Sequence, residues 1–304
     1  MFSIVKNYKI FFSITIIFLL IGIGSMFMRG FNLGIDFTGG SIIDLKFDNP
    51  VSVAQVRDVL KEHDLGNSVI QLGTSNGNIK ESDSVLIRTG ILSDNDNERH
   101  VIMQDLKSKL GTYKVLRVEQ VGATVGSELV QQAAMAVVLS WILMIIYITF
   151  RFEFKFAMAA IIALMIDVTV VLSYFSLFQL EMDSSFVAAL LTVVGYSVNG
   201  TIVIFDRIRE NLKNHRRSED LGQMVDKSIW QCMTRSLYTM LSTLFAIVAI
   251  FLFGGDTIHN FAFAMLVGFS SGFYTSTFLS GPMWGKLKLN SEKGSSISSK
   301  TKAV

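Results

Sequence analysis

Gly195–Asn211 reads GYSVNGTIVIFDRIREN, and this stretch decides the fold class. It begins as a membrane helix, yet Asn199, Gly200 and Thr201 lie within the apolar run. It then leaves the bilayer through an acid–base cluster of Asp206, Arg207, Arg209 and Glu210. Polar groups inside a span are costly, so they face a bundle interior or a water-filled path rather than lipid. A helix of this kind belongs to a protein that moves something across a membrane, or couples to one that does.

The rest of the chain agrees. Half of its 304 residues are hydrophobic, and six apolar stretches reach spanning length, near 10–28, 130–150, 156–178, 186–206, 234–253 and 259–281. The first lies behind Lys6 and Lys9, as a signal peptide would. However, its apolar run is longer than an ordinary signal core and no small-residue cleavage site follows, so it reads as an uncleaved anchor. A net charge of +2, with no basic patch interleaved with aromatics, excludes nucleic acid as a partner. The single cysteine, Cys232, excludes an intramolecular disulfide and reads as a small packing residue. No Cys/His spacing suits a metal.

Basic residues set the orientation. Lys6 and Lys9 precede the first span, Arg151 and Lys155 separate the second and third, and Arg207 to Lys227 lie between the fourth and fifth. The alternate loops, Gln179–Ser185 and Gly254–Asn260, contain no Lys or Arg. Both termini are therefore expected in the cytoplasm. The organisation that follows is a cytoplasmic end with the first span (1–29), an extracytoplasmic domain (30–127), spans two to six (128–285) with a cytoplasmic loop at 207–233, and a disordered cytoplasmic tail (286–304).

The extracytoplasmic segment alternates like strands at Ser41–Phe47, Ser68–Leu72, Val85–Arg88 and Lys114–Val121. It has helical periodicity at Val53–His63 and Asn95–Leu110. Ser52 is placed to cap the first helix, whose apolar face is Val53, Val56, Val59 and Leu60. The face expected for the second is Val101, Ile102, Leu106 and Leu110. The order β-α-β-β-α-β is the split pattern of ferredoxin-like α+β domains. Gly73–Asp83 reads as a loop turning through Asn76-Gly77. His63 and His100 stand alone in polar sequence and are expected to be solvated. Gly39-Gly40 permits positive φ, either as a fixed turn or as a hinge of the outer domain, with Asp36 bonding the turn.

Four ordered motifs resemble the SecF family: GIDFTGG at Gly34–Gly40, VGATVGSEL at Val121–Leu129, GYSVNGTIVIFDRIREN, and RSLYTMLSTL followed by FLFGG at Phe251–Gly255. The resemblance runs over nearly the whole chain. It implies a subunit of the Sec protein-export machinery, within the SecD/SecF family and the resistance-nodulation-division superfamily. It further implies SecD as a homologous six-span partner, contact with the SecYEG channel and YajC, and an unfolded exported polypeptide as cargo. The location implied is the cell's inner (plasma) membrane, with an H⁺ or Na⁺ gradient as energy source and no cofactor. Small residues on the fourth helix (Gly195, Ser197, Gly200) and Gly268-x-x-x-Gly272 on the sixth let helices approach closely, within this chain or against the partner.

One departure from the family matters. The family carries Asp after the Asn of the fourth-span motif, and that carboxylate is regarded as part of the ion path; here the position is Gly200. Arg235 matches the arginine that would pair with it. Asp167, in LMIDVTV of the third span, follows Ile166 where the family has His. It is the best local carboxylate for carrying a proton. Asp206, beside Arg207 and Arg209, suits a structural salt bridge at the interface, and Asp183 an outer, solvated loop. The expectation is that the principal titrating site lies on the partner, with Asp167, Asn199, Gly200, Thr201 and Arg235 lining or supporting the path.

Ile229, Trp230 and Met233 suit a helix lying along the cytoplasmic interface, with Arg216 and Arg217 near headgroups. Two competing functions are a non-coupling membrane scaffold and another transporter component of the superfamily. An enzyme is not expected, since no nucleophile–base pair, metal site or phosphate loop is present in the sequence.

Overall fold

In the computed structural model the described residues are 2–73, 81–90, 96–214 and 220–289. In chain order the elements are α1 (Tyr8–Arg29), β1 (Asn32–Leu33), α2 (Ile35–Thr38), β2 (Gly40–Ser52), α3 (Val53–Lys61), β3 (Val69–Leu72), β4 (Glu81–Thr89) and α4 (Asp96–Leu110). There follow β5 (Tyr113–Val121), α5 (Ala123–Arg151), α6 (Phe154–Phe178), β6 (Glu181–Met182), α7 (Ser184–Lys213), α8 (Leu221–Phe253) and α9 (Asp256–Tyr274). A π-helical turn, Thr275–Ser280, prolongs α9. The chain divides into two compact units, Met1–Asn32 with Met135–Val304, and Leu33–Ala134.

The larger unit is a helical bundle. Among the described residues six helices are long and apolar enough to cross a membrane: α1, α5, α6, α7, α8 and Ile258–Leu289. α6, α7 and the last span form its centre, where Phe156, Val171, Phe175, Phe186, Ala189 and Val193 are all but inaccessible. α5 is apolar all round, with Met135, Leu139, Leu143, Ile146 and Phe150 exposed, as expected of a helix whose surroundings are lipid.

Three expectations fail here. The fourth and fifth spans do not end where the apolar runs end: α7 continues to Lys213, and α8 runs unbroken from Leu221. No separate helix lies along the interface at 221–233. Ile229 and Cys232 are buried in the bundle, and Trp230 Nε1 donates to the Phe2 carbonyl at 3.0 Å. The N-terminal residues are strapped to α8: Ile4 is inaccessible, Ser3 Oγ donates to Asp226 Oδ2 (2.5 Å) and Val5 N–H to Asp226 Oδ1 (2.9 Å). A buried contact made by residues far apart in sequence overrides an amphipathic pattern read locally. Arg216 and Arg217 lie outside the described residues. The tail also begins later than expected, because the last helix extends to Leu289 and Lys286 Nζ sits 3.6 Å from the Tyr8 ring centroid. Residues 290–304 lie outside the described residues.

The smaller unit is a four-stranded antiparallel sheet in the order β3-β4-β2-β5, with α3 and α4 between its strands in sequence. Ser52 and Gln55 form the reciprocal capping box that starts α3. Val56, Val59 and Leu60 on α3 pack with Ile102 and Leu106 on α4 against Ile43, Leu45, Val85 and Ile87 of the sheet. Val101 is half-exposed, so α4 is turned so that Met103 rather than Val101 joins this core. Gly73 N–H bonds the Ser84 carbonyl, joining β3 to β4, while the expected Asn76-Gly77 turn lies outside the described residues. His63 is not alone: its Nε2 lies 2.8 Å from Asp105 Oδ2 and links α3 to α4. Asp183 is not merely solvated either, since its carboxylate caps α7 by accepting from Phe186 N–H at 2.9 Å.

Gly39 and Gly40 have φ of 71° and 136°. A Cβ at Gly40 would stand 2.7 Å from the Thr89 carbonyl oxygen, so glycine is needed there for space as well as for conformation.

Candidate functional site

Asp167 lies in the middle of α6 and is completely buried. A carboxylate taken from water into an apolar interior must be hydrogen-bonded or paired. Here three hydroxyls do this. Ser197 Oγ of α7 donates to Oδ2, Ser271 Oγ of α9 donates to Oδ1 at 2.5 Å, and Thr275 Oγ1 lies 3.0 and 2.9 Å from the two oxygens. Ser271 and Thr275 are four residues apart and share one face of the helix. Thr275 is the first residue of the π-helical turn. Such single-turn bulges re-aim side chains and recur at functional sites.

The cage closes because α7 and α9 approach closely. A Cβ on Gly272 would stand 3.1 Å from Ser197 Cβ, and one on Gly268 would stand 2.5 Å from Val193 Cγ1 and closer still to Cγ2. Glycine spaced in this way removes the side chain that would hold the helices apart. The small-residue spacing thus serves packing within the chain, while Gly195 has no atom within 4 Å of its Cβ position.

Neighbouring residues on the same two helices line a second feature, a small cleft of about 70 Å³ between α7, α8 and α9. Asn199, Gly200, Arg235, Ser236 and Ser276 face it. Adjacent residues therefore divide between the two features: Ser271 and Thr275 hold the carboxylate, while Gly272 and Ser276 line the cleft. On α7, Thr201 turns inward and is buried, its hydroxyl without a hydrogen-bond partner among the described residues. Arg235 is exposed in this chain, and among the described residues no carboxylate lies within 4.0 Å of its guanidinium. A Cβ on Gly200 would meet Ser276 Oγ at 3.1 Å, so this position also lies against α9.

The path residues singled out from sequence fall into two groups. Asn199, Gly200 and Arg235 share the cleft, whereas Asp167 sits in its own cage and makes no hydrogen bond to them. The interface cluster is a correction. Arg207 Nη1 pairs with Glu210 Oε2 at 2.6 Å and Arg209 Nη1 donates to the Arg151 carbonyl at 3.4 Å. Asp206 is exposed, with no ion pair among the described residues. Side chains three apart on a helix face one another, whereas adjacent ones point apart, which is why Glu210 and not Asp206 takes the arginine. The residues that sequence reasoning missed are Ser271 and Thr275. The available signal was a pair of hydroxyls at i and i+4 in an otherwise apolar span.

The family description "Protein export membrane protein SecD/SecF, C-terminal" matches residues 101–290, and "SecD/SecF GG Motif" matches 24–51. The chain is 70% identical over 283 residues to "Protein translocase subunit SecF" of Acidaminococcus fermentans, covering 93% of this chain and 96% of that one. It belongs to the SecF family. A second SecF, from Sebaldella termitidis, is 40% identical over 92% of this chain and 90% of that protein. Among solved structures, SecDF from Thermus thermophilus, described as a translocon-associated membrane protein, superposes with a TM-score of 0.84 at 34% identity. That match covers 94% of this chain, which spans 38% of the length of the SecDF chain. With six apolar helices and SecF relatives, the protein is a multi-pass membrane component of protein translocation by the Sec pathway.

Proposed function

We propose that this chain pairs with SecD and draws on a transmembrane H⁺ or Na⁺ gradient to promote export of unfolded polypeptides through SecYEG, with YajC as a further contact. One observation carries the reading. The cleft at Asn199, Gly200 and Arg235 presents a guanidinium with no carboxylate within reach among the described residues, on a helix long and apolar enough to span a membrane. A charge carried on a spanning segment is unfavourable within the hydrocarbon unless it is paired. A carboxylate of the partner subunit completes the cleft, and the missing family Asp at Gly200 explains why this chain does not supply it. Asp167, held by three hydroxyls and linked to the cleft through the same turns of α7 and α9, supports the path from this side.

The basic loops support a reading in which the chain sits in the inner membrane with both termini on the cytoplasmic side. The α+β unit then lies outside. Its antiparallel order β3-β4-β2-β5 supports a ferredoxin-like reading, and the paired, closely packed Gly40 favours Gly39-Gly40 as a fixed turn at its start over the expected hinge. No cofactor is required, and the reading is not enzymatic.

The test is export into sealed vesicles that hold this chain with SecD and the channel. Replacement of Arg235 by Ala removes the gradient-dependent part of export and spares the rest. If Arg235→Ala and Asp167→Asn both leave export intact, the chain is a scaffold and supplies no coupling residues.

A further inference from the structure

A cavity of about 490 Å³ lies in the bundle between α1, α6 and α9. Its walls are Ile14 and Phe18 of α1, Val170 and Tyr174 of α6, and Leu266 and Tyr274 of α9. Ile14 of the wall is itself exposed, and all three walls are helices long and apolar enough to cross a membrane. What meets the mouth is therefore hydrocarbon.

The polar atoms in the walls are already engaged. Thr15 Oγ1 and Tyr274 OH both donate to the Phe11 carbonyl at 2.9 Å, and Ser270 Oγ donates to the Leu266 carbonyl at 2.8 Å. Ser271 and Thr275, which also line the cavity, donate to Asp167. A ligand entering here meets apolar side chains and hydroxyls with their donors committed. Such a wall rejects a polar solute, which would lose its hydration without replacement, and accepts a hydrocarbon.

Size narrows the occupant. The volume exceeds three times the roughly 150 Å³ of an apolar cavity that takes up benzene, which scales to a chain of about twenty carbons.

We propose that this groove is a binding site for a fatty-acyl chain of a membrane lipid. The seat is not remote from the candidate path. Ser271 and Thr275 form part of its wall and two of the three hydroxyl contacts of Asp167, so a chain that fills the groove packs against the back of the carboxylate cage and holds α9 in place. The groove needs only the membrane fold, not the coupling role proposed above.

The experiment uses the full chain, purified with its partner subunit and placed in vesicles of phosphatidylethanolamine and phosphatidylglycerol. The vesicles are doped with a phosphatidylcholine bearing a diazirine on one acyl chain. After illumination, adducts are mapped by mass spectrometry. Adducts concentrate on Phe18, Tyr174 and Tyr274 several-fold above Leu139 and Phe150, which are exposed on α5. Filling the groove with Val170→Phe and Leu266→Phe abolishes that excess while α5 labels as before. Should the filled variant fail to fold, Leu266→Ala serves instead: it enlarges the groove and raises its labelling relative to α5. Groove labelling no denser than on α5, or unchanged in either variant, overturns the proposal. Protection of the groove residues from lipid also overturns it, and identifies a protein segment as the occupant.

Discussion

Replacing Gly268 by alanine tests whether the α7–α9 contact builds the carboxylate cage. The new methyl would lie 2.5 Å from Val193 Cγ1 and 2.9 Å from Val193 Cβ. Carbon atoms rest at roughly 3.5–4.0 Å, so the shortfall is about 1 Å or more. Turning the valine does not relieve it, because Cβ itself is too close, and the helices must part. Overpacking of this kind costs about 1–3 kcal/mol. With α9 displaced by about 1 Å from α7 and α6, the Thr275 contacts to Asp167, now 2.9 and 3.0 Å, pass beyond hydrogen-bond range, while the Ser271 contact, now 2.5 Å, is only lengthened. Each bond to a charged group that is lost adds about 1.5–3 kcal/mol. The sum is about 3 kcal/mol or more. The assay is reversible unfolding by SDS titration in mixed micelles, on wild type, Gly268→Ala, Val193→Gly and the double variant. In the Val193→Gly background, where Cβ is gone as well, the added methyl has room, and Gly268→Ala costs less than about 1 kcal/mol there, giving a coupling of about 2 kcal/mol. A single variant as stable as wild type, or costs that simply add, would refute the close-approach account.

Other outcomes follow from the same geometry. Gly200→Asp places a carboxylate in the cleft that holds Arg235. Ser276 has to give by a few tenths of an ångström, and gradient-dependent export into vesicles is retained or mildly raised. Ser52→Ala removes the capping box of α3 and lowers the stability of the α+β unit by about 1 kcal/mol, read by hydrogen exchange of the full chain. Burial raises the pKa of the Tyr113 phenol above its ordinary value, and its OH donates to the Met103 carbonyl at 2.7 Å. Its contribution is therefore fully present below the unfolded value near 10 and is lost as pH rises through the higher folded value. Hydrogen exchange in β5 accelerates across that window in wild type and less in Tyr113→Phe.

Much of this was legible in the sequence. The six spans are long apolar runs, and the signal survives without tertiary information because each span must satisfy its own backbone in lipid. The strand and helix alternation of the α+β unit and the Ser52 cap were equally readable, being local. What was not readable depends on contacts between distant residues. Asp167 could be singled out as a lone acid in a span, but Ser271 and Thr275 lie more than a hundred residues away, and nothing local says that their hydroxyls converge on it. The π-helical turn that presents Thr275 has no composition signal of its own. The apolar side chains at 229–233 face the bundle core and the N-terminal strap, and a periodicity reading cannot tell that from a lipid surface. Adjacent opposite charges at Asp206 and Arg207 suggested a pair, yet helical geometry gives the arginine to Glu210.

The most direct test of the central claim is gradient-driven export by vesicles containing this chain with its partner subunit, comparing wild type with Arg235→Ala and Asp167→Asn. The account predicts that collapsing the gradient lowers export in wild type and changes nothing in either variant, whose rate already equals the uncoupled one. Export in both variants that remains at the wild-type rate and still falls when the gradient is collapsed would contradict it.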